Sequence, residues 1–532
     1  MAEKEFNLLY EKWIWVRKPD NKMEKWSLLE VFEKAHDVKE LSGELPTQNV
    51  VILRLLLAIM HSIFPKWDTK GNQNEIRNDD DALLRWKELW DMQRFPYEIV
   101  AKYLLQYEDR FWLFHPEFPF YQIAKMGKST EYTSGKLIGE LSESSNKIRL
   151  FASRSGENKT SIDFDEAARW LLYINSFDDT SAKPTKSGLS SPGAGWLGQL
   201  GLVYAEGENL FETLLLNFVL FDESNDIFED SMPVSKVYWE QEQISGEERK
   251  NIPLPRSQKE LMTIQSRRLQ LKRNENQVVG YNLLGGDIFS KESAFIEQMT
   301  LWREDKKTKV FLPKRHRSDK QVWRDFASLI ASTDGRRCPG VVHWIESLKD
   351  EDVYDSKMIK LRITGIQYGD KDFFADDIID DSLQMNSSVF EDLDSAWIEE
   401  IIRRLEMTDK AVSYLGWLAS DIATAEGNSS KDGDNAKKKI REFARETGYQ
   451  KLDFAFRDWL LTINTNVDEI EDKIPEWDRI AKKTLMREGN RLLEMCSDYA
   501  LVGFIKNEEI YSAAKAFQKF QYNIIKLLGK EA

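Results

Sequence analysis

The sequence has 532 residues, of which 41% are apolar and 12% aromatic, a globular composition long enough for two or more domains. The net charge of −15 excludes an overall basic field for nucleic acids, and a total of two cysteines excludes a disulfide scaffold or a cysteine-rich zinc site. We find neither a signal peptide nor a run of about 18 apolar residues, so we predict a cytoplasmic protein without membrane contact.

The N-terminal part of the chain predicts a mixture of strands, core helices and aromatic loops. Residues 6–17 predict a strand or the start of a hairpin, because aromatic and β-branched side chains alternate with polar ones. Residues 48–64 are apolar on nearly all sides and predict a buried helix. Residues 79–92 predict a helix that begins on acidic side chains, and residues 109–122 predict an extended aromatic segment or loop.

The middle of the chain predicts short strands around a glycine-rich stretch. Helices are predicted over residues 165–177 and 209–221, before and after that stretch. From about residue 230 to 390, short β-like runs alternate with turns. Residues 357–380 predict a hairpin whose turn is Gly369-Asp370-Lys371-Asp372.

Beyond about residue 393 the pattern changes to helices only. Four periodic helical segments with short connections predict an antiparallel bundle, and the last has an apolar stripe at i, i+3, i+4 and i+7 spacing that includes Ile510 and Ala514. We therefore predict an α+β fold with a large mixed α/β N-terminal domain over residues 1–390 and an all-α C-terminal four-helix bundle over residues 391–532.

The glycine-rich stretch, residues 185–201, reads TKSGLSSPGAGWLGQLG. Residues 188–193 have the spacing of a phosphate-binding P-loop, but Ala194 and Gly195 stand where lysine and a hydroxyl residue are required. Residues 193–198 form a literal GxGxxG, but no apolar strand precedes them. Both patterns are therefore poor nucleotide sites, and a glycine-rich surface loop without function is the simplest interpretation of the stretch taken alone.

Two basic runs interrupt the acidic composition. Residues 306–320 carry seven basic side chains against one acidic, and residues 266–273 carry four against none. Such runs form either solvated faces or local phosphate contacts. The five histidines and two cysteines lack the spacing of metal sites or catalytic nucleophiles, so we predict no enzyme, no cofactor and no metal.

The order of segments resembles one family over nearly the whole chain. FNLLYEKWIWVR, HPEFPFYQ, LFASRSG, the glycine-rich stretch running into GWLGQLG, a long mixed middle and four C-terminal helices occur in that order. This order is similar to that of the CasA-type large subunit of the type I-E CRISPR surveillance complex, Cascade. The resemblance implies a non-catalytic antiviral subunit that recognises a short protospacer-adjacent motif (PAM) in double-stranded DNA, helps to unwind the duplex and recruits a helicase-nuclease. Its further partners would be the CRISPR guide RNA and the other Cascade subunits.

The resemblance also implies which residues contact nucleic acids. A loop at about residues 186–195 would follow the minor groove beside the PAM, where small side chains permit close approach. A lysine would reach the groove, a hairpin wedge would start unwinding, and a separate loop would contact guide RNA and neighbouring subunits. The groove loop comprises Lys186, Ser187, Gly188, Ser190, Ser191, Gly193 and Gly195; the lysine is Lys291; the wedge comprises Tyr368, Gly369, Asp370 and Lys371; and the RNA and subunit loop comprises Phe151, Ala152, Ser153 and Arg154.

Two other functions stay open from the sequence. One is a nucleotide-binding enzyme that uses the glycines of residues 188–198, which binding of a nucleotide by the isolated chain would favour. The other is a purely structural scaffold subunit that holds its neighbours and never touches DNA bases. Such a scaffold would keep PAM discrimination in its complex after replacement of residues 186–195.

Overall fold

The computed structural model describes residues 4–143, 152–180, 193–221, 236–250, 252–332, 335–427, 431–506 and 508–529. The helices of these residues are α1 Leu28–Lys34, α2 Pro46–Ile63, α3 Asp79–Asp91, α4 Tyr97–Gln106, α5 Ser134–Leu137, α6 Glu157–Thr160, α7 Phe164–Phe177, α8 Leu210–Leu216, α9 Gln258–Met262, α10 Phe326–Ile330, α11 Gly340–Asp350, α12 Ala396–Ala425, α13 Lys431–Leu461, α14 Ile470–Glu494, α15 Asp498–Val502 and α16 Ala513–Leu528.

The strands are short except for two long pairs. They are β1 Glu5–Asn7, β2 Ile14–Arg17, β3 Met23–Trp26, β4 Glu40–Leu41, β5 Trp112–Phe114, β6 Thr130–Thr133, β7 Ile162–Asp163, β8 Leu202–Glu206, β9 Arg249–Lys250, β10 Arg267–Asn274, β11 Gln277–Gly285, β12 Asp287–Ile288, β13 Trp302–Glu304, β14 Phe311–Pro313, β15 Met358–Tyr368, β16 Ala375–Asn386, β17 Phe504–Lys506 and β18 Glu509–Tyr511.

Contacts divide the chain into two units. The first comprises Met1–Ser318, Gly335–Asp355 and Lys360–Ser382, and the second comprises Asp319–Asp334, Ser356–Ile359 and Leu383–Ala532. The first unit is mixed helix and strand, and the second contains the long C-terminal helices, so the predicted α+β fold class is confirmed. The division is discontinuous in sequence, whereas the prediction from sequence has one boundary, between residues 390 and 391.

Helix α2 forms the centre of the first unit. Its residues are buried almost without exception, and it packs against α7 and α9. Its length and hydropathy meet the criterion for a membrane span, contrary to our expectation that no segment would do so, but 89% of the helix is buried within the fold. A helix that is apolar all round and enclosed by protein is the usual core helix of a large domain.

The first unit also contains the two sheets that position the candidate site. One has the order β10-β11-β6, with β7 also paired to β11, and the other has the order β16-β15-β8. Strands β15 and β16 are the predicted hairpin, and β15 pairs antiparallel with β8, with Lys360 opposite Glu206 and Thr364 opposite Leu202. This pairing places the strand that follows the glycine-rich stretch beside the strand that leads to the hairpin turn.

The second unit is built around four long helices. Helix α12 packs against α13, α14 and α16, and α14 packs against α16. An aromatic cluster fills part of the core, in which the Phe456 and Trp477 rings lie 5.1 Å apart and Trp477 Nε1 donates to Thr408 Oγ1 at 3.0 Å. The predicted four-helix bundle is confirmed, with the addition of the short hairpin β17–β18.

Candidate functional site

One buried arginine binds both ends of residues 178–193, which we call the glycine-rich segment. Arg267 Nε donates to Asp178 Oδ2 at 2.6 Å, just after α7, and Arg267 Nη2 donates to the Gly193 carbonyl at 2.7 Å. The Gly195 N–H donates to the Asp178 carbonyl at 2.9 Å. The Arg267 and Asp178 side chains are 1% and 0% exposed, so each charge depends on the other for the solvation that it loses on burial. These contacts hold residues 178 and 193 next to each other.

A second buried ion pair lies beside the first. Lys136 Nζ, on α5, is 2.7 Å from Asp179 Oδ2, and both side chains are at most 3% exposed. Burial raises the pKa of Tyr132 to about 12, and the negative charges of Asp178 and Asp179 add to that effect. Two consecutive carboxylates at the end of α7 are thus paired with buried cations. We call Lys136, Asp178, Asp179, Gly195 and Arg267 the loop base.

Two glycines of the stretch are required by packing. A Cβ on Gly195 would lie 2.3 Å from the Ser176 carbonyl oxygen, and a Cβ on Gly198 would lie 2.3 Å from Tyr368 Oη. A Cβ on Gly193, by contrast, would meet nothing within 4 Å, and Gly193 is exposed. Close approach to α7 and to β15 therefore explains the second and third glycines of the GxGxxG, whereas packing does not require the first. Gly195 is buried, and its contact with DNA stays a prediction.

The hairpin tip, residues 369–374, is hydrogen-bonded to the end of α7. The Thr180 N–H donates to the Asp372 carbonyl at 2.9 Å, and Thr180 Oγ1 donates to the Lys371 carbonyl at 3.0 Å. Next to the tip, Tyr368 Oη donates to the Phe177 carbonyl at 2.6 Å. Because Gly195 donates to the Asp178 carbonyl, the described end of the predicted groove loop, Gly193 and Gly195, lies near the residues after α7 that bind the hairpin tip.

A cluster of charges surrounds the tip. Arg315 donates to both carboxylate oxygens of Asp372, at 2.6 and 2.9 Å, and its guanidinium lies 5.2 Å from the centre of the Tyr368 ring. Partial burial and the positive charge of Arg315 lower the pKa of Lys291, and Asp372 opposes that effect. Lys291, which the sequence assigned to the groove, therefore lies within the electrostatic influence of the tip. Its contact with DNA stays a prediction.

The tip exposes two aromatic side chains that the sequence reasoning missed. Phe373 is 47% exposed and Phe374 is 43% exposed, and they directly follow the turn. Asp370 and Lys371 are also exposed. Adjacent phenylalanines after a polar turn resemble ordinary strand residues in the sequence, so only their exposure in the fold makes them candidate contacts.

Gln367 is engaged within the fold. Its side-chain oxygen accepts hydrogen bonds from the Ser318 N–H and from Ser318 Oγ, both at 3.0 Å. The Gln367 side chain, just before the predicted wedge, is thus bound to a neighbouring segment. The exposed side chains of the turn are those of residues 370, 371, 373 and 374.

Part of the predicted site lies outside the described residues. Of the predicted loop for RNA and subunits, Ala152 is half-buried and Ser153 exposed, while Arg154 forms ion pairs with Glu140 and, at 2.6 Å, with Glu166. An RNA contact through Arg154 would have to share or replace these partners. The residues outside the described part of the chain are Phe151, Lys186, Ser187, Gly188, Ser190 and Ser191.

The basic run at residues 266–273 contains two arginines that are neither a solvated face nor phosphate contacts. Arg267 and Arg268 are each 1% exposed, and Arg268 is paired with Asp287 at 2.6 Å. Both arginines face the interior because acidic partners from distant segments lie there. Sequence spacing could not identify those partners, since Asp178 and Arg267 are separated by much of the first unit. Within the described residues, no group of three potential metal ligands occurs.

Comparison with known proteins connects this arrangement to one family. A family model for CRISPR-associated protein Cse1 matches residues 7–487. The CRISPR-associated protein CasA/Cse1 of Thermus thermophilus is 28% identical over 65% of this chain, a match that spans 64% of that relative's length. The crystal structure of Thermobifida fusca Cse1 is 29% identical with a TM-score of 0.85 and covers 99% of both chains. A structure of a CRISPR RNA-guided surveillance complex contains a chain 17% identical with a TM-score of 0.70, which covers 98% of this chain and 100% of that one.

Proposed function

This chain belongs to the family of CRISPR-associated protein Cse1, and on that premise we propose that it is the large subunit of an RNA-guided surveillance complex that recognises a PAM in double-stranded DNA. The family predicted from the order of sequence segments is thereby confirmed. The subunit would be non-catalytic. It would bind the PAM, start unwinding so that guide RNA can pair, and recruit a helicase-nuclease.

The observation that carries the proposal is the convergence at the end of α7. Arg267 binds both Asp178 and the Gly193 carbonyl, and Thr180 is hydrogen-bonded to the hairpin tip. A loop that binds the minor groove and a wedge that separates the adjacent base pairs must contact neighbouring positions of one duplex. Hydrogen bonds between the two elements support that geometry.

The groove loop suits PAM binding, and the hairpin tip suits the start of unwinding. Glycine and serine side chains allow the backbone of residues 186–195 to approach the minor-groove floor, where the pattern of donors and acceptors is degenerate and close contact replaces long side chains. The exposed Phe373 and Phe374 supply apolar surface at the tip. Apolar wedges unstack a base step at a cost of about a few kcal/mol, which further protein contacts offset.

The acidic net charge of −15 is consistent with a subunit that binds DNA as part of an assembly. Few phosphates would be neutralised by this chain alone, so its isolated affinity for DNA is expected to be weak. The other subunits and the guide RNA complete the site. Ala152, Ser153 and Arg154 are the described residues that we assign to that contact.

The test is binding of the reconstituted complex to duplexes that differ only in the PAM. We expect Gly188→Asp to abolish PAM-dependent binding, because its carboxylate would enter a narrow groove lined by phosphates, and Lys186→Ala to weaken binding. The matched controls are Gly127→Asp and Lys125→Ala, at exposed positions outside the site, which should leave binding unchanged.

The result against the proposal is equally definite. If Gly188→Asp and Lys186→Ala assemble normally and keep the PAM preference, the segment does not read the groove. The chain is then a structural scaffold, and PAM recognition belongs to another part of the complex. Size-exclusion chromatography of each variant complex separates loss of binding from loss of assembly.

A further inference from the structure

The strongest unassigned feature of the surface is the paired guanidinium of Arg315. Its two terminal nitrogens meet the two oxygens of Asp372 at 2.6 and 2.9 Å, and the side chains are 31% and 30% exposed. Arginine binds phosphate through the same parallel pair of donors that it uses for a carboxylate. The Asp372 carboxylate therefore occupies a position that two phosphate oxygens could take.

A further cation, Lys291, interacts with both members of this pair. The pKa of Lys291 is lowered by partial burial and by Arg315, with a smaller contribution from Arg303, and Asp372 is the acidic group that acts in the opposite direction. The segment that begins at Lys291 packs beside β14, which leads directly to Arg315. The Lys291 ammonium thus adds positive charge near the Arg315–Asp372 pair, in a tip that also carries the exposed Asp370.

The carboxylate can leave Arg315 without undoing the rest of the tip. The contacts of Thr180 are with the backbone carbonyls of Lys371 and Asp372, and they do not involve the Asp372 side chain. The ring of Tyr368 lies against the guanidinium on the protein side. A partly exposed ion pair contributes little to stability, so exchange of one anion for another is inexpensive.

We propose that Arg315 is a binding site for a backbone phosphate of duplex DNA and that the Asp372 carboxylate occupies this site in the DNA-free protein. This inference rests on the proposed function, since it needs duplex DNA at the hairpin tip. Binding would transfer Arg315 from Asp372 to the phosphate. The apolar surface of Phe373 and Phe374 would then face the duplex beside a neutralised phosphate, while the released carboxylate stays in solvent.

The experiment compares Asp372→Asn with Asp370→Asn in the reconstituted complex, on a PAM-containing duplex over a series of salt concentrations. Both changes remove one negative charge from the tip, but only the first removes the partner of Arg315. We expect Asp372→Asn to bind about two- to fivefold more tightly than Asp370→Asn, the range that corresponds to release of an exposed ion pair. Arg315→Ala should bind more weakly, with a salt slope shallower by about 0.9 for one lost phosphate contact.

Two results would overturn the inference while leaving PAM recognition intact. One is equal or weaker binding by Asp372→Asn relative to Asp370→Asn, which would make the ion pair a structural brace. The other is an Asp372→Asn gain for single-stranded RNA in place of duplex DNA, which would assign Arg315 to the guide. Loss of PAM preference in the wild-type complex is a separate result, and it would overturn the proposed function itself.

Discussion

The loop base and the hairpin tip lie next to each other but are held by opposite means. At the loop base, Asp178 and Asp179 are paired with Arg267 and Lys136, and all four side chains are at most 3% exposed. At the tip, the one bidentate pair is about 30% exposed, and the two phenylalanines after it are more exposed still. One region holds its charges in buried ion pairs, and the other presents charge and apolar surface to the solvent.

The difference indicates that the loop base fixes the position of the glycine-rich segment, whereas the tip is the part that can contact a ligand. A buried charge is costly to separate from its partner, so the loop base defines where the glycine-rich segment starts and ends. An exposed charge exchanges its partner at low cost, so the tip can rearrange when a ligand arrives. Substitutions in the two regions should therefore differ in size and in the property that they change.

The largest effect on stability is expected at Arg267. Arg267→Ala leaves the Asp178 carboxylate buried and removes the donor to the Gly193 carbonyl, so the free energy of unfolding should fall by about 3–5 kcal/mol. Denaturant unfolding of the full chain measures this loss. The double variant Arg267→Met, Asp178→Leu should recover much of it, because no charge is then left unpaired. A single variant as stable as wild type would contradict the description of this pair as essential.

A smaller effect on stability is expected at Gly195, near the C-terminal end of the glycine-rich segment. Gly195→Ala places a methyl group 2.3 Å from the Ser176 carbonyl oxygen, and the resulting overpacking should cost about 1–3 kcal/mol. Gly193→Ala, two residues away and open to solvent, is the matched control and should change stability little. Thermal unfolding of both variants compares their stability with that of the wild type. Equal stability would mean that the backbone relaxes around the added methyl group.

The smallest effect is expected at the tip. Arg315→Ala removes a half-exposed ion pair and should lower the free energy of unfolding by about 0.2–1 kcal/mol, with less effect at high salt. Denaturant unfolding at two salt concentrations tests this. A loss as large as that of Arg267→Ala would abolish the contrast between the two regions and make the tip part of the rigid scaffold.

Much of the fold follows from local patterns. A hairpin over residues 357–380 with its turn at 369–372 was predicted because alternation and turn chemistry are properties of neighbouring residues, and the structure has strands at 358–368 and 375–386. The C-terminal helices were predicted from their 3.6-residue period for the same reason. Ile510 and Ala514, however, are exposed, and Ile510 belongs to β18. A short hairpin there starts the last helix three residues later than the apolar stripe indicates.

The site was less predictable than the fold because it depends on distant partners. Gly195 and Gly198 seemed to form a ligand motif in the sequence, whereas the backbone of α7 and the hydroxyl of Tyr368 require them. Arg267 belonged to a basic run and is bound inside the protein. Thr180 carried no signal, Arg315 was one member of the basic run at residues 306–320, and Asp372 was one residue of the predicted turn. No local pattern indicates that the three meet.

By itself the sequence determined the class of fold, the hairpin, the helical C-terminal region and the family, because composition, periodicity and segment order are all read along one chain. Only the tertiary structure decided that the ends of the glycine-rich segment meet, that Thr180 connects them to the hairpin tip, and that Arg315 faces Asp372. Those contacts join residues far apart in the chain. Their strength depends on burial and on the partner supplied by another segment, which one-dimensional patterns do not contain.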